Sequence, residues 1–139
     1  MRESSVALVV FTMLALAFSG CFWGLSDFNA PLTGGYTLWR TSAFRIDITS
    51  AGGGDPMIPT MVIECNHDNR FIIAKRQGLR GKGIDAEPDP SVFDYWILDT
   101  KDPEVHGPLS LKEYSKKREQ LRVPSDLALK DVYSFRPSD

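Results

Sequence analysis

Residues 58–75 read IPTMVIECNHDNRFIIAK, two apolar runs separated by Asn66-His67-Asp68-Asn69. Asn and Asp tolerate the left-handed backbone that a tight turn needs. The flanking runs, Ile58 to Cys65 and Phe71 to Lys75, are rich in β-branched and aromatic residues. The segment therefore predicts a β-hairpin.

The neighbouring segments extend the pattern. Asp94 to Thr100 (DYWILDT) has a nearly continuous apolar centre, which predicts a central strand buried on both sides, one against a helix and the other against the N-terminal tether or the C-terminal tail. Gly35 to Arg40 (GYTLWR) and Phe44 to Thr49 (FRIDIT) alternate with period two. In the second, Phe44, Ile46 and Ile48 fall on one side and Arg45, Asp47 and Thr49 on the other, as in a strand that is wet on one face. Ser50 to Pro56 reads as a turn or loop, and Gln77 to Pro90 (QGLRGKGIDAEPDP), with three Gly and two Pro, as a long loop. Lys101 to Glu104 reads as a turn after which Val105-His106-Gly107 pairs back. The tail Leu127 to Phe135 alternates imperfectly, as an edge strand or a wrap around the domain.

One helix is expected. Ser110-Leu111-Lys112-Glu113 has the spacing of a capping box, with Ser110 as N-cap and Glu113 three residues on. Leu109 and Tyr114 fit a hydrophobic staple. Leu111, Tyr114, Arg118 and Leu121 recur at spacings of three and four on one face, and Pro124 stops the helix. The fold class expected is α+β: a single antiparallel sheet of four to six strands with one C-terminal helix packed on it.

The N-terminus has a different character. Arg2 is followed by the 13-residue apolar run Val6 to Phe18 and then Ser19-Gly20-Cys21. A short charged start, an apolar stretch too short to span a bilayer and small residues at its end describe a secretory signal. The Cys directly after Ser-Gly is similar to the lipobox of bacterial lipoproteins, in which the Cys thiol takes lipid and the chain is cut just before it. Phe18 stands where that pattern prefers Leu, and a plain signal peptide containing a Cys is the competing reading. The expected organisation is a signal at 1–20, a tether at 21–34 in which Phe28 and Leu32 already pack on the domain, and one β-rich domain at 35–139. Lipidation is expected at Cys21, with several acyl chains, palmitate among them, holding the protein to a bacterial membrane on the periplasmic or extracellular face.

Composition sets limits on function. The 139 residues carry 16 basic and 18 acidic side chains, a net charge of -2, which argues against a general nucleic-acid binder. With Cys21 lipidated, Cys65 has no disulfide partner and reads as a buried structural thiol, with His67 two residues on as the one nearby base.

The lipobox, Gly35-Tyr36 with Leu38-Trp39-Arg40, the segment Asp68 to Lys75, Tyr95-Trp96-Ile97-Leu98-Asp99-Thr100, and Gly107-Pro108-Leu109 leading to Glu113-Tyr114 together resemble a family of small uncharacterised bacterial lipoproteins, a domain of unknown function. The resemblance covers about residues 18–123. It implies bacterial export and a compact β-rich domain. It carries no catalytic residues to transfer.

Candidate chemistry is sparse. His67 and His106 are the two histidines. Glu64, Cys65, His67 and Asp68 crowd four potential metal ligands together, but side chains on a hairpin alternate faces and cannot all converge. Asp85, Glu87, Asp89 and Asp94 lack EF-hand spacing, and Gly78 to Gly83 lacks the spacing and following helix of a P-loop. Trp23, Trp39 and Trp96 with Tyr36, Tyr95 and Tyr114 either line a groove for sugars or peptides or pack in the core. No catalytic, cofactor-binding or metal site is assigned and no cofactor is expected. The function expected is a membrane-anchored envelope lipoprotein, a non-enzymatic module whose sheet face or loops bind an envelope protein or polymer. The alternatives are a small envelope hydrolase using His67 or His106 with a carboxylate, and an inhibitor or immunity-type lipoprotein.

Overall fold

The computed structural model describes residues 27–138. It contains two antiparallel sheets and one short helix. The strands are β1 (Phe28–Pro31), β2 (Tyr36–Ser42), β3 (Arg45–Ser50), β4 (Val62–His67), β5 (Phe71–Arg80), β6 (Glu87–Asp99), β7 (Glu104–Leu109) and β8 (Lys130–Asp131), with α1 (Leu111–Leu121) between β7 and β8. The three-stranded sheet has the order β1-β2-β3 and the five-stranded sheet β7-β6-β5-β4-β8.

This corrects the single sheet expected from the sequence. The physical reason lies in β5 and β6, which are apolar on both faces. Ile72, Ala74, Trp96 and Leu98 enter one core with Leu38, Ile46 and Ile48 of the smaller sheet. Phe71, Ile73 and Ile97 enter a second core with Tyr114 of α1 and Val123 and Leu127 beyond it. One helix covers one face. The other face needs a second apolar layer, and β2 and β3 supply it through their alternating inward residues. The chain leaves the small sheet after Ser50 and crosses through a loop that forms an isolated bridge between Ile48 and Ile58.

Local chemistry explains the connections. Asp68 Oδ1 accepts the backbone N–H groups of Arg70 and Phe71, both at 2.7 Å, and so closes the β4–β5 turn. The stretch Gln77 to Pro90, expected as a loop, is largely strand. β5 runs on to Arg80, β6 begins at Glu87, and Leu79 and Arg80 pair with Pro88 and Glu87 to form a projecting arm. β1 lies within the stretch 21–34; Leu32 is buried and Phe28 packs on the first core. The tail contributes an edge strand, since β8 pairs with β4. Gly34 has φ +68°, and a β-carbon there would overlap the Thr100 side chain, so the smaller sheet closes against the end of β6 at this point.

The helix start is as the sequence predicts. Ser110 Oγ accepts from the Glu113 N–H at 3.3 Å, and Glu113 Oε2 accepts from the Ser110 N–H at 2.8 Å. Leu109 packs in the same cluster as Tyr114. Leu111, expected on the buried face, is exposed, and Tyr114 alone of that face is fully buried. The helix ends at Arg122 in the left-handed conformation, and Arg118 Nη2 donates to the carbonyls of Pro124 and Leu127.

Candidate binding surfaces

The two histidines lie apart. His67 is on β4 opposite Ile72, on the face that meets the small sheet. Its Nδ1 accepts the Thr33 N–H at 3.2 Å. His106 is on β7 opposite Ile97, on the helix face. Two strands separate β4 from β7, so the imidazoles occupy opposite faces about 14 Å apart in strand spacing alone. The nearest carboxylate to His106 is Glu104, at 3.7 Å from Nε2.

The crowded ligand set around Cys65 also disperses. Glu64 pairs with Lys75 at 3.2 Å on the helix face. Asp68 caps the turn, and Cys65 is fully buried in the inter-sheet core, where desolvation pushes its thiol up to about 12. Among the described residues no group of three or more His, Cys, Asp or Glu side chains is placed to hold a metal ion.

The acidic residues near the arm have local partners. Asp94 takes Nε and Nη2 of Arg76 at 3.0 and 2.6 Å and the Trp96 indole N–H at 2.5 Å. Asp89 accepts from Ser91 and faces Arg80 at 3.5 Å; the Ser91 hydrogen bonds lower its pKa. At the other end of β6, Asp99 forms a bidentate pair with Arg70 at 2.6 to 3.1 Å.

Two surfaces among the described residues set an exposed aromatic side chain beside polar groups on strands or turns of the sandwich. The first is the outer face of the small sheet, where Asn29, Trp39 and Asp47 form one row across β1, β2 and β3. Trp39 is 43% exposed, whereas Trp96, Tyr36 and Tyr114 are buried and Tyr95 stacks on Tyr114 with ring centroids 5.0 Å apart. The aromatics noted in the sequence therefore divide between core and surface and do not line one groove. Partial burial raises the Asp47 carboxyl above its ordinary pKa, and Arg45 offsets part of that rise. Thr37 and Thr49 form part of the next row on the same face.

The second surface is the end of the sandwich formed by the β2–β3 turn and the arm. Phe44, expected inside with Ile46 and Ile48, is 56% exposed. With Ser42, Arg45, Thr60, Leu79 and Ala86 it lines a cleft of about 200 Å³. The turn is fixed from below. Thr60 Oγ1 donates to the Phe44 carbonyl and accepts from the Ile46 N–H, both at 2.9 Å. The Thr60 carbonyl in turn accepts from Arg76 Nη1 at 3.3 Å. Sequence patterning missed this site because alternation places Phe44 inside. Phe44 lies in the Ala43-Phe44 turn between β2 and β3, where a strand's alternation no longer dictates facing.

Cys21, the residue expected to take lipid, and Trp23 lie outside the described residues. No helix among the described residues is long and apolar enough to cross a membrane. The family model described as a protein of unknown function (DUF3997) matches residues 33–133, and the chain belongs to that family. No curated protein and no solved structure matches the chain.

Proposed function

We propose that this member of the family is an exported bacterial lipoprotein, held to a membrane of the cell envelope by lipid on Cys21, whose domain is a non-enzymatic binding module. Support for the anchor comes from the sequence: an apolar stretch of signal length ends in Ser19-Gly20-Cys21. Several acyl chains on one Cys give effectively permanent attachment, because each buried methylene contributes about 0.8 kcal/mol.

The observation that carries the binding reading is the row Asn29–Trp39–Asp47 on the outer sheet face. A large indole left half-exposed on a sheet, between an amide and a carboxylate, offers an apolar plane with hydrogen-bonding groups on both sides. That combination suits an envelope polymer or protein surface that is itself amphipathic. The strongest charge pairs, Arg70–Asp99 and Arg76–Asp94, are engaged with one another, which favours binding over acid–base chemistry.

The test has two arms. Wild-type chain expressed in a bacterium should partition into the detergent phase and Cys21→Ala should not; equal partitioning rejects the anchor. Envelope extract passed over the immobilised chain should yield a component that Trp39→Ala, melting like wild type, fails to retain. Equal retention by the variant rejects this face as the binding surface.

A further inference from the structure

We infer that the end of the sandwich bearing Phe44 and Leu79 is a lipid-contacting surface that rests in the membrane interface when the chain is anchored. This rests on the Cys21 anchor and adds which end of the domain meets the bilayer.

The argument begins with where the chain enters the domain. Phe28 pairs with Arg40, so β1 starts beside the last residues of β2 and runs away from the Ser42–Phe44 turn. Asp27 Oδ1 lies 3.3 Å from Arg40 Nη1 at the same end. Five residues separate Cys21 from Asp27, and the six fully extended steps between them reach no further than about 20 Å. β6 has 13 residues and a length of about 40 Å. Its far end, at Thr100 and the turn Lys101 to Glu104, meets Gly34 at the opposite end of β2 from the Asp27 entry, so the anchor attaches nearer the Phe44 end than the far end.

The near end has the surface such a contact requires. Phe44 is more than half exposed, Leu79 is 37% exposed, and both line one cleft. Exposed apolar side chains gathered at one end of a domain mark an interaction surface more than a scattered few do. The Thr60 hydrogen bonds hold the turn in place, so Phe44 is presented without further ordering of its backbone. The charges here nearly cancel. Arg45, Arg80 and Lys82 stand against Asp85, Glu87 and Asp89, and Arg80 faces Asp89 at 3.5 Å. Attraction to anionic headgroups is therefore weak, and the apolar contact carries the association.

The test uses the full chain purified from bacterial membranes and reconstituted into phosphatidylcholine vesicles containing a lipid-borne quencher. An environment-sensitive fluorophore is placed on Ala43→Cys, which keeps Phe44, or on Lys101→Cys at the far end. Cys65 is buried and does not compete for label. Quenching at position 43 should exceed that at 101 by about threefold or more, with little change on adding anionic lipid or salt, as an apolar contact requires. Equal quenching at both positions in vesicle-bound protein overturns the inference and leaves the anchor standing. Protein that fails to associate with vesicles overturns the anchor and this inference together. Shielding of position 43 that grows with protein concentration in the absence of vesicles overturns it in favour of contact between copies of the chain.

Discussion

The indole of Trp96 lies against the backbone of Gly107, so closely that a β-carbon at 107 would overlap Cδ2 and Cε3 of the ring. The register between β6 and β7 shifts at this point, between Tyr95 and Ile97, and Gly107 falls in the shift. Asp94 holds the indole N–H, and the Arg76 guanidinium lies 5.4 Å from the ring centroid, so the indole has little room to withdraw. Gly107→Ala should cost about 1–3 kcal/mol through overpacking. Trp96→Ala should cost about 3–5 kcal/mol through the cavity it leaves. Urea midpoints of both variants check this, and a Trp96→Ala melt within a degree or two of wild type would contradict it.

The Arg70–Asp99 pair makes stability depend on acid. Hydrogen bonds from Arg70 hold the Asp99 carboxyl below its ordinary pKa, outweighing the burial that raises it. The folded pKa is thus lower than the unfolded one, near 4. The contribution is complete above about pH 5 and is lost as pH falls through the depressed folded value. In melts recorded from about pH 6 down to pH 2, Asp99→Asn should show a shallower acid decline than wild type. Parallel curves would remove Asp99 from the account.

Cys65 should be inert in the folded protein. With its thiol raised to about 12, thiolate at pH 8 is scarce, and the side chain is fully buried. In the Cys21→Ala chain, a thiol reagent at pH 8 should label nothing under native conditions and one thiol per chain in denaturant. Rapid native labelling would contradict this and show Cys65 to be a reactive thiol beside His67.

Ser110→Ala removes the cap of α1 and should destabilise the domain by about 0.5–2 kcal/mol. Glu113 should respond as well. Its pKa is lowered by the Ser110 backbone N–H and then by the Ser110 hydroxyl, so the variant should raise it toward the ordinary Glu value. NMR titration of the Glu113 carboxyl reads this shift, and an unmoved pKa would remove the Ser110 hydroxyl from its causes and leave only the backbone N–H.

Thr60→Val deletes the hydroxyl that joins Phe44 to Ile46 and leaves the Ile46 N–H and the Phe44 carbonyl without that partner. A cost of about 1–3 kcal/mol is expected. Amide exchange at Ile46 should accelerate well beyond that at Ile73 in the second core. A uniform change across both would point to a global effect and not to release of the turn.

Much of the local structure was written in the sequence. The Asn-Asp turn before Phe71, the period-two strand around Ile46 and Ile48, and the Ser110–Glu113 box depend on neighbours within a few residues, and each formed where its chemistry demanded. The two-sided apolar character of Tyr95 to Leu98 was legible too, and it already required a cover on each face. What the sequence did not reveal was the second cover, expected from the tether or tail and supplied chiefly by β2 and β3. Whether Leu38, Ile46 and Ile48 extend the same sheet or stack across it depends on the long-range crossing from Ser50 to Val62, and period two is the same in either arrangement. The surfaces follow the same division. Alternation placed Phe44 with Ile46, but the tertiary path turned it outward at the sandwich end. Trp39 and Trp96 were indistinguishable as residue types. Only the stacking of two sheets, with Trp96 between them and Trp39 on the outer face, made one a core side chain and the other a surface.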